Sequence, residues 1–171
     1  AITPQSDRAY FNNANVEWFL NFPTKIKTIN FTKKYTQKFN FIYNKQNKST
    51  YEEPLKYLYE PNSAILKSGG FHEISSQLNL FKLHQHSHLY TSVKQQDFPG
   101  RKFKITKINP YDKKKIISSL STKKANITTR NFRKTVSQIR KELKIKDGGD
   151  LFLFFTTNIH NKPICIHCEK L

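Results

Sequence analysis

The sequence predicts a mixed α+β chain (α/β in content) made of two small units in series. Three observations carry that expectation. Lys102–Ile108 (KFKITKI) alternates with the two-residue period of a strand, lysines on one side and Phe103 and Ile105 on the other. Within 133–144, Val136, Ile139 and Leu143 recur at i, i+3 and i+7, the apolar stripe of a helix. Asp97-Phe98-Pro99-Gly100 is a turn sequence strong enough to divide the chain.

The elements follow in chain order. Residues 1–15 are a polar lead-in whose asparagines favour turns. Val16–Phe22, Lys25–Phe31 and Lys38–Tyr43 are aromatic or alternating and predict strands. A polar loop, 44–50, precedes the aromatic KYLYE run between Pro54 and Pro61. Ser63–Ser68 predicts a helix broken at Gly69-Gly70 and resumed over Phe71–Leu78, with Phe71, Ile74 and Leu78 on one face. Phe81–Tyr90 is strand-prone and would set His84, His86 and His88 on one face. Beyond the turn, the second unit reads β-α-β-α-β-β. Its parts are the strand 102–108, a helix Asp112–Leu120, a strand Ala125–Thr129, a helix Arg133–Lys144 stopped by Gly148-Gly149, and a hairpin of Leu151–Thr157 with Pro163–Glu169. The units expected are thus 1–53 (strands and linker), 54–98 and 99–171.

Charge divides the same way. The 171 residues carry a formal charge of +18. Residues 1–100 hold 12 basic against 7 acidic side chains, net +5, and residues 101–171 hold 18 against 5, net +13. Sixteen lysines and arginines lie between Arg101 and Lys146 against two acids, Asp112 and Glu142. In the helix 133–144, Arg133, Lys134, Arg140, Lys141 and Lys144 fall opposite the apolar stripe. Such a face is an electrostatic footprint for a polyanion, RNA or DNA. A membrane surface fits less well, because no long basic amphipathic helix carries aromatics. No apolar run nears the roughly 18–20 residues of a span, the opening AITPQSDR is no secretory signal, and two cysteines build no disulfide framework. The expectation is a cytoplasmic protein. The absence of any methionine suggests a piece of a longer chain.

Chemistry-bearing motifs are sparse. Five glycines supply neither a G-x-G-x-x-G turn nor a phosphate loop. Cys165 and Cys168 have C-x-x-C spacing beside His160 and His167, but an odd separation on a strand sends the thiols to opposite faces, so packed cysteines are expected rather than zinc. The His84, His86, His88 strip has no carboxylate at matching spacing. No metal and no catalytic residue is assigned.

Three runs are more specific than composition: Tyr57–Phe71 (YLYEPNSAILKSGGF), Leu83–Ser92 (LHQHSHLYTS) with Asp97–Ile105 (DFPGRKFKI), and Lys123–Phe154. Their Glu60-Pro61-Asn62, Ile65-Leu66-Lys67, Ser87-His88-Leu89-Tyr90, Phe98-Pro99-Gly100, Arg130-Asn131-Phe132 and Gly148-Gly149-Asp150 motifs resemble the C-terminal half of a family of bacterial class I S-adenosylmethionine-dependent methyltransferases. The resemblance spans Tyr57–Leu171. It implies a ferredoxin-like domain followed by a THUMP-like domain, with RNA, tRNA or rRNA, presented to an upstream methyltransferase domain. That domain would hold the S-adenosylmethionine and is missing here; residues 16–43 could be its last strands. The chain departs from the pattern at Ser68-Gly69-Gly70, where Ala-Gly-Ala is expected, and at Arg133, where proline is expected.

Three functional readings follow. The first is an RNA-binding, substrate-recruiting module whose phosphate contacts are Arg101, Lys102, Lys104, Lys123, Lys124, Arg130, Arg133, Lys134, Arg140 and Lys141. The second is an enzymatic site at the domain junction built from Glu60, Asn62, Lys67, His88 and Tyr90; against it, Asn62 can simply cap the following helix and His88 bond across the junction. The third is a structural interaction domain that binds a methyltransferase or a ribosomal protein.

Overall fold

The computed structural model describes residues 24–43 and 46–171, so the lead-in 1–15 and the strand expected at 16–22 lie outside the described residues. Alternation and turn chemistry build the first element pair. β1 (Lys25–Phe31) and β2 (Thr36–Ile42) form an antiparallel hairpin, Thr28 opposite Phe39. At its turn the Thr32 hydroxyl accepts from the Tyr35 amide at 3.0 Å, closing the loop locally. β2 begins two residues earlier than its apolar run suggested.

A second, seven-stranded sheet holds the rest. β3 (Tyr57–Pro61) leads to α1 (Ser63–Ser68) and α2 (Phe71–Gln77), then to β4 (Phe81–Lys82) and β5 (Tyr90–Ser92). Next come β6 (Gly100–Pro110), α3 (Lys113–Ser119), β7 (Asn126–Thr129), α4 (Val136–Leu143), β8 (Leu151–Thr157) and β9 (Pro163–Lys170). The strand order is β4-β5-β3-β6-β9-β8-β7. The β7–β8 pair is parallel and the other pairs are antiparallel. α+β is the outcome, with the second unit in the expected β-α-β-α-β-β order. The two units do not have separate sheets: β3 pairs with β6 from Tyr57–Lys104 to Pro61–Gly100.

Two local expectations fail. Phe81–Tyr90 is not one strand. After β4 the chain folds back, with Leu83 N–H donating to Leu89 O at 3.0 Å and Ser87 N–H to His84 O at 3.2 Å. His88 takes a left-handed conformation there, φ 50°, so the three histidines share no strand face. The second correction is the basic helix, which does not start at Arg133. Thr135 is its N-cap: the Thr135 hydroxyl accepts from Gln138 N at 3.3 Å and the Gln138 amide oxygen accepts from Thr135 N at 2.9 Å. This capping box satisfies two end amides and sets the first turn. Arg133 and Lys134 belong to the preceding loop, and Lys144 is the C-cap at φ 53°.

Apolar residues sort onto three clusters. Phe39 and Phe41 of the hairpin join Tyr59, Ile65, Ile74 and Phe98, so the hairpin shares a core with α1 and α2. Leu58, Leu83, Leu89, Phe103, Phe154 and Cys168 fill the opposite face of the sheet, under the 83–89 loop. Ile116, Ile139, Leu143, Leu153, Phe155 and Cys165 pack beneath α3 and α4. The cysteines thus lie in different clusters, and burial pushes both thiols well above their ordinary range.

The sheet is strongly curled. β3 and β7 are four neighbours apart, which at about 4.8 Å per strand separates them by about 19 Å if flat. Yet Glu60 of β3 meets Arg130, one residue past β7, at 2.6 Å. The face between them is concave, and the candidate site lies at its mouth.

Candidate nucleic-acid interface

Glu60 organises the mouth. Strand alternation turns its side chain inward, leaving that side chain 4% exposed. Arg101 Nε donates to Oε2 at 2.5 Å, and Arg101 Nη2 also contacts that oxygen. Arg130 donates to Oε1 through Nε at 2.9 Å and Nη2 at 2.6 Å. Arg101 Nη2 further donates to the Thr128 hydroxyl at 3.2 Å, and its guanidinium lies 5.5 Å from the Phe103 ring centroid. A buried carboxylate is tolerated only with partners that replace its water, and here two guanidiniums do so.

Around this pair lies a cavity of about 470 Å³ walled by Gln37, Asn62, Gly100, Arg101, Lys102, Arg130 and Lys170. Asn62 has two tasks: its oxygen caps α1 by accepting from Ile65 N at 3.1 Å, and its amide donates to Gln37 Oε1 at 3.1 Å. Gln37 in turn donates to Gly100 O at 3.3 Å, tying the hairpin to the junction.

A larger cavity, about 860 Å³, opens on the other side of the 129–131 segment. Thr129 and Asn131 line it, whereas Arg130 between them lines the smaller one. Its walls are the 84–86 loop, Tyr111, Phe132, Arg133, Lys134 and the β8–β9 turn. His84 holds these loops together. Its Nε2 meets Asn161 Oδ1 at 2.9 Å, while Asn131 Nδ2 lies 3.0 Å from Nδ1 and His86 N 3.1 Å from it. Those partners select the tautomer with the proton on Nε2. Asn131 and Asn161 both take left-handed backbone angles, which asparagine tolerates better than most residues.

The ten expected phosphate contacts separate by what their charges already meet. Arg101 and Arg130 are held by Glu60. Lys134 donates to Glu142 at 2.5 Å and lies 5.1 Å from the Tyr111 ring centroid, and Tyr111 donates to the same carboxylate at 3.0 Å. The Lys134 hydrogen bond holds the Glu142 carboxyl below its usual range. Arg140 is paired with Asp147 and donates to Ala125 O at 3.2 Å. Lys102 stands 3.5 Å from Asp97. Lys104, Lys123, Lys124, Arg133 and Lys141 are exposed, with no acidic partner within salt-bridge distance among the described residues.

The junction residues divide too. Glu60 and Asn62 share the smaller cavity. Lys67 is exposed in the last turn of α1. His88 stacks on Phe71 at 3.8 Å between centroids, and the Tyr90 hydroxyl donates to Phe71 O at 2.8 Å. Burial first, then the charges of Lys82, Arg130, His86 and His72, lower the His88 pKa to about 4. Lys82, buried beside them and donating to Gln85 O at 2.8 Å, is lowered by desolvation to about 8. Among the described residues no three His, Cys, Asp or Glu side chains gather as metal ligands, and no helix is long and apolar enough to cross a membrane. Tyr111, Phe132 and Asn161 went unrecognised as wall residues in the sequence; the signal available was only the aromatic beside Arg130-Asn131.

Residues 57–99 match a family model described as a ferredoxin-like domain, and residues 100–170 match one described as THUMP domain-like. The crystal structure of a "putative methyltransferase" from Porphyromonas gingivalis W83 superposes with a TM-score of 0.78 at 33% identity. The match covers 85% of this chain and 38% of that one, so the chain spans well under half the length of that neighbour. No curated protein matches the chain.

Proposed function

From a ferredoxin-like domain followed by a THUMP-like domain, we propose that this chain is the RNA-binding, substrate-recruiting part of an S-adenosylmethionine-dependent methyltransferase of the cytoplasm. The methyl donor binds a domain that residues 1–171 do not carry, and the RNA is a tRNA or an rRNA. One observation carries this reading. The wide cavity, walled by the 84–86 loop of the ferredoxin-like domain and by the THUMP-like domain, sets the exposed Arg133 beside Tyr111, Phe132 and the exposed His86, the pairing of a cation for phosphate with rings for unstacked bases that single-stranded RNA requires. A junction enzyme is the weaker reading, because both Glu60 oxygens already accept from arginines and Asn62 caps α1.

The test is fluorescence anisotropy with single-stranded and duplex RNA over a salt series. Each phosphate contact contributes a slope of about −0.7 for a single strand and about −0.9 for duplex. Reversing Lys123, Arg133 and Lys141 to glutamate should weaken binding across sequences and flatten the single-strand slope by about 2. Reversing Lys25, Lys27 and Lys33 should do much less. Equal losses from both triples, or no affinity at low salt, would reject a defined RNA face. Calorimetry on the same chain should find no saturable S-adenosylmethionine binding.

A further inference from the structure

We infer that the Glu60-anchored arginine pair is a phosphate seat at the junction of the two domains, with Arg101 and Arg130 as ligands and Glu60 as the positioning residue. The inference rests on the RNA reading for the source of its phosphate, but its chemistry stands on the site itself. A guanidinium has five N–H donors. Arg101 directs Nε and Nη2 to Glu60 and Thr128, leaving both N–H of Nη1; Arg130 directs Nε and one Nη2 hydrogen to Glu60, leaving three. No acceptor among the described residues takes those five.

The side chains remain 43% and 39% exposed while the carboxylate between them is nearly sealed. One anion therefore holds two cations in fixed orientation and neutralises only one of them. Lys170 adds a further ammonium group to the same walls, and Lys102 one that already faces Asp97. A cavity of about 470 Å³ is in the range of small-ligand sites. Forked, pre-oriented donors in excess suit a phosphate, whose oxygens outnumber those of a carboxylate. Continuity gives the source: Thr129 and Asn131 line the wide cavity and Arg130 the narrow one, so a polyanion crossing this segment meets both.

The sign of one substitution separates positioning from plain neutralisation. Glu60→Gln raises the local charge by one, so if Glu60 only offsets the arginines, phosphate should bind more tightly. If Glu60 aims them, binding weakens despite the added charge. The full chain is titrated with inorganic phosphate while arginine Nε–Hε resonances are followed by NMR. Arg101 and Arg130 should shift and saturate together, Arg133 and Arg140 should not, and Arg101→Gln should weaken binding roughly tenfold. Unmodified protein and the exposed Arg101→Gln carry the test if Glu60→Gln does not fold.

Two oligonucleotides of one sequence, 5′-phosphorylated and 5′-hydroxyl, identify the source. Preference for the former assigns a terminal phosphate, and equal shifts assign an internal phosphodiester. Saturation with phosphate but no RNA binding keeps the seat and rejects the RNA reading. RNA binding that leaves both resonances unmoved, or phosphate that shifts neither, overturns the seat alone, whereas tighter binding by Glu60→Gln keeps the two arginines as ligands and overturns the positioning role of Glu60.

Discussion

Gly100 has no room for a methyl group. A Cβ there would lie 2.2 Å from the Glu60 carbonyl oxygen and 3.0 Å from Asn62 N, both backbone atoms that cannot rotate away. β3 and β6 approach this closely because the position is bare, and the approach sets Arg101, the next residue, against Glu60. Gly100→Ala should lower stability by about 1–3 kcal/mol through overpacking, read as a lower urea midpoint. It should also shift the Arg101 Nε resonance; an unchanged midpoint would refute the close packing. His88 makes a second prediction. Its folded pKa is about 4 against an ordinary 6.5, so between those values the unfolded chain binds a proton that the folded chain refuses. Its contribution is present above about pH 6.5 and is lost as pH falls toward 4. His88→Asn, which tolerates the left-handed backbone, should lose less stability between pH 7 and pH 5 than the unaltered chain does. Equal pH dependence in urea titrations would exonerate His88. His167, also lowered by burial and then by Lys107, leaves part of the effect in the variant.

At the element scale, α4 shows how local chemistry ends a helix that composition would extend. Thr-Val-Ser-Gln, residues 135–138, is a capping-box sequence, and it places Arg133 and Lys134 in the loop facing the wide cavity. Thr135→Ala should cost about 1 kcal/mol, measurable by thermal or chemical unfolding. No loss would mean that packing of Ile139 and Leu143 alone holds the helix. The 81–90 segment shows the opposite case. Its strand-like residues are overruled by His84, whose partners Asn131 and Asn161 lie 47 and 77 positions further on. A single-window reading has no access to such bonds, while Leu83 and Leu89 still reach the core expected of apolar residues.

For the whole molecule, the shared sheet is the governing fact. The turn at 97–100 divides the chain in sequence and the family matches meet at 99 and 100, but β3 and β6 are adjacent strands. The ion pairs of Glu60 also join the two sides. The ferredoxin-like and THUMP-like parts should therefore unfold in one transition. Coincident urea curves from far-UV circular dichroism and from residue-resolved NMR signals on each side of residue 100 would bear this out. Two separated midpoints would show independent folding units.

By itself, the sequence determined the order and type of most elements, since period-2 alternation in β6 and the i, i+3, i+7 stripe of α4 are local properties of the backbone. It also determined the basic surplus of residues 101–171 and the opposite orientation of Cys165 and Cys168. Only the tertiary structure decided which cations remain available. Glu60 meets Arg101 from 41 positions away and Arg130 from 70, and Glu142 meets Tyr111 from 31. Coulomb energy and hydrogen bonding depend on separation in space; pairing of β3 with β6 sets the first of these separations, curling of the sheet the second, and packing of α4 beside Tyr111 the third. A count of charges along the chain cannot tell a pinned arginine from a free one.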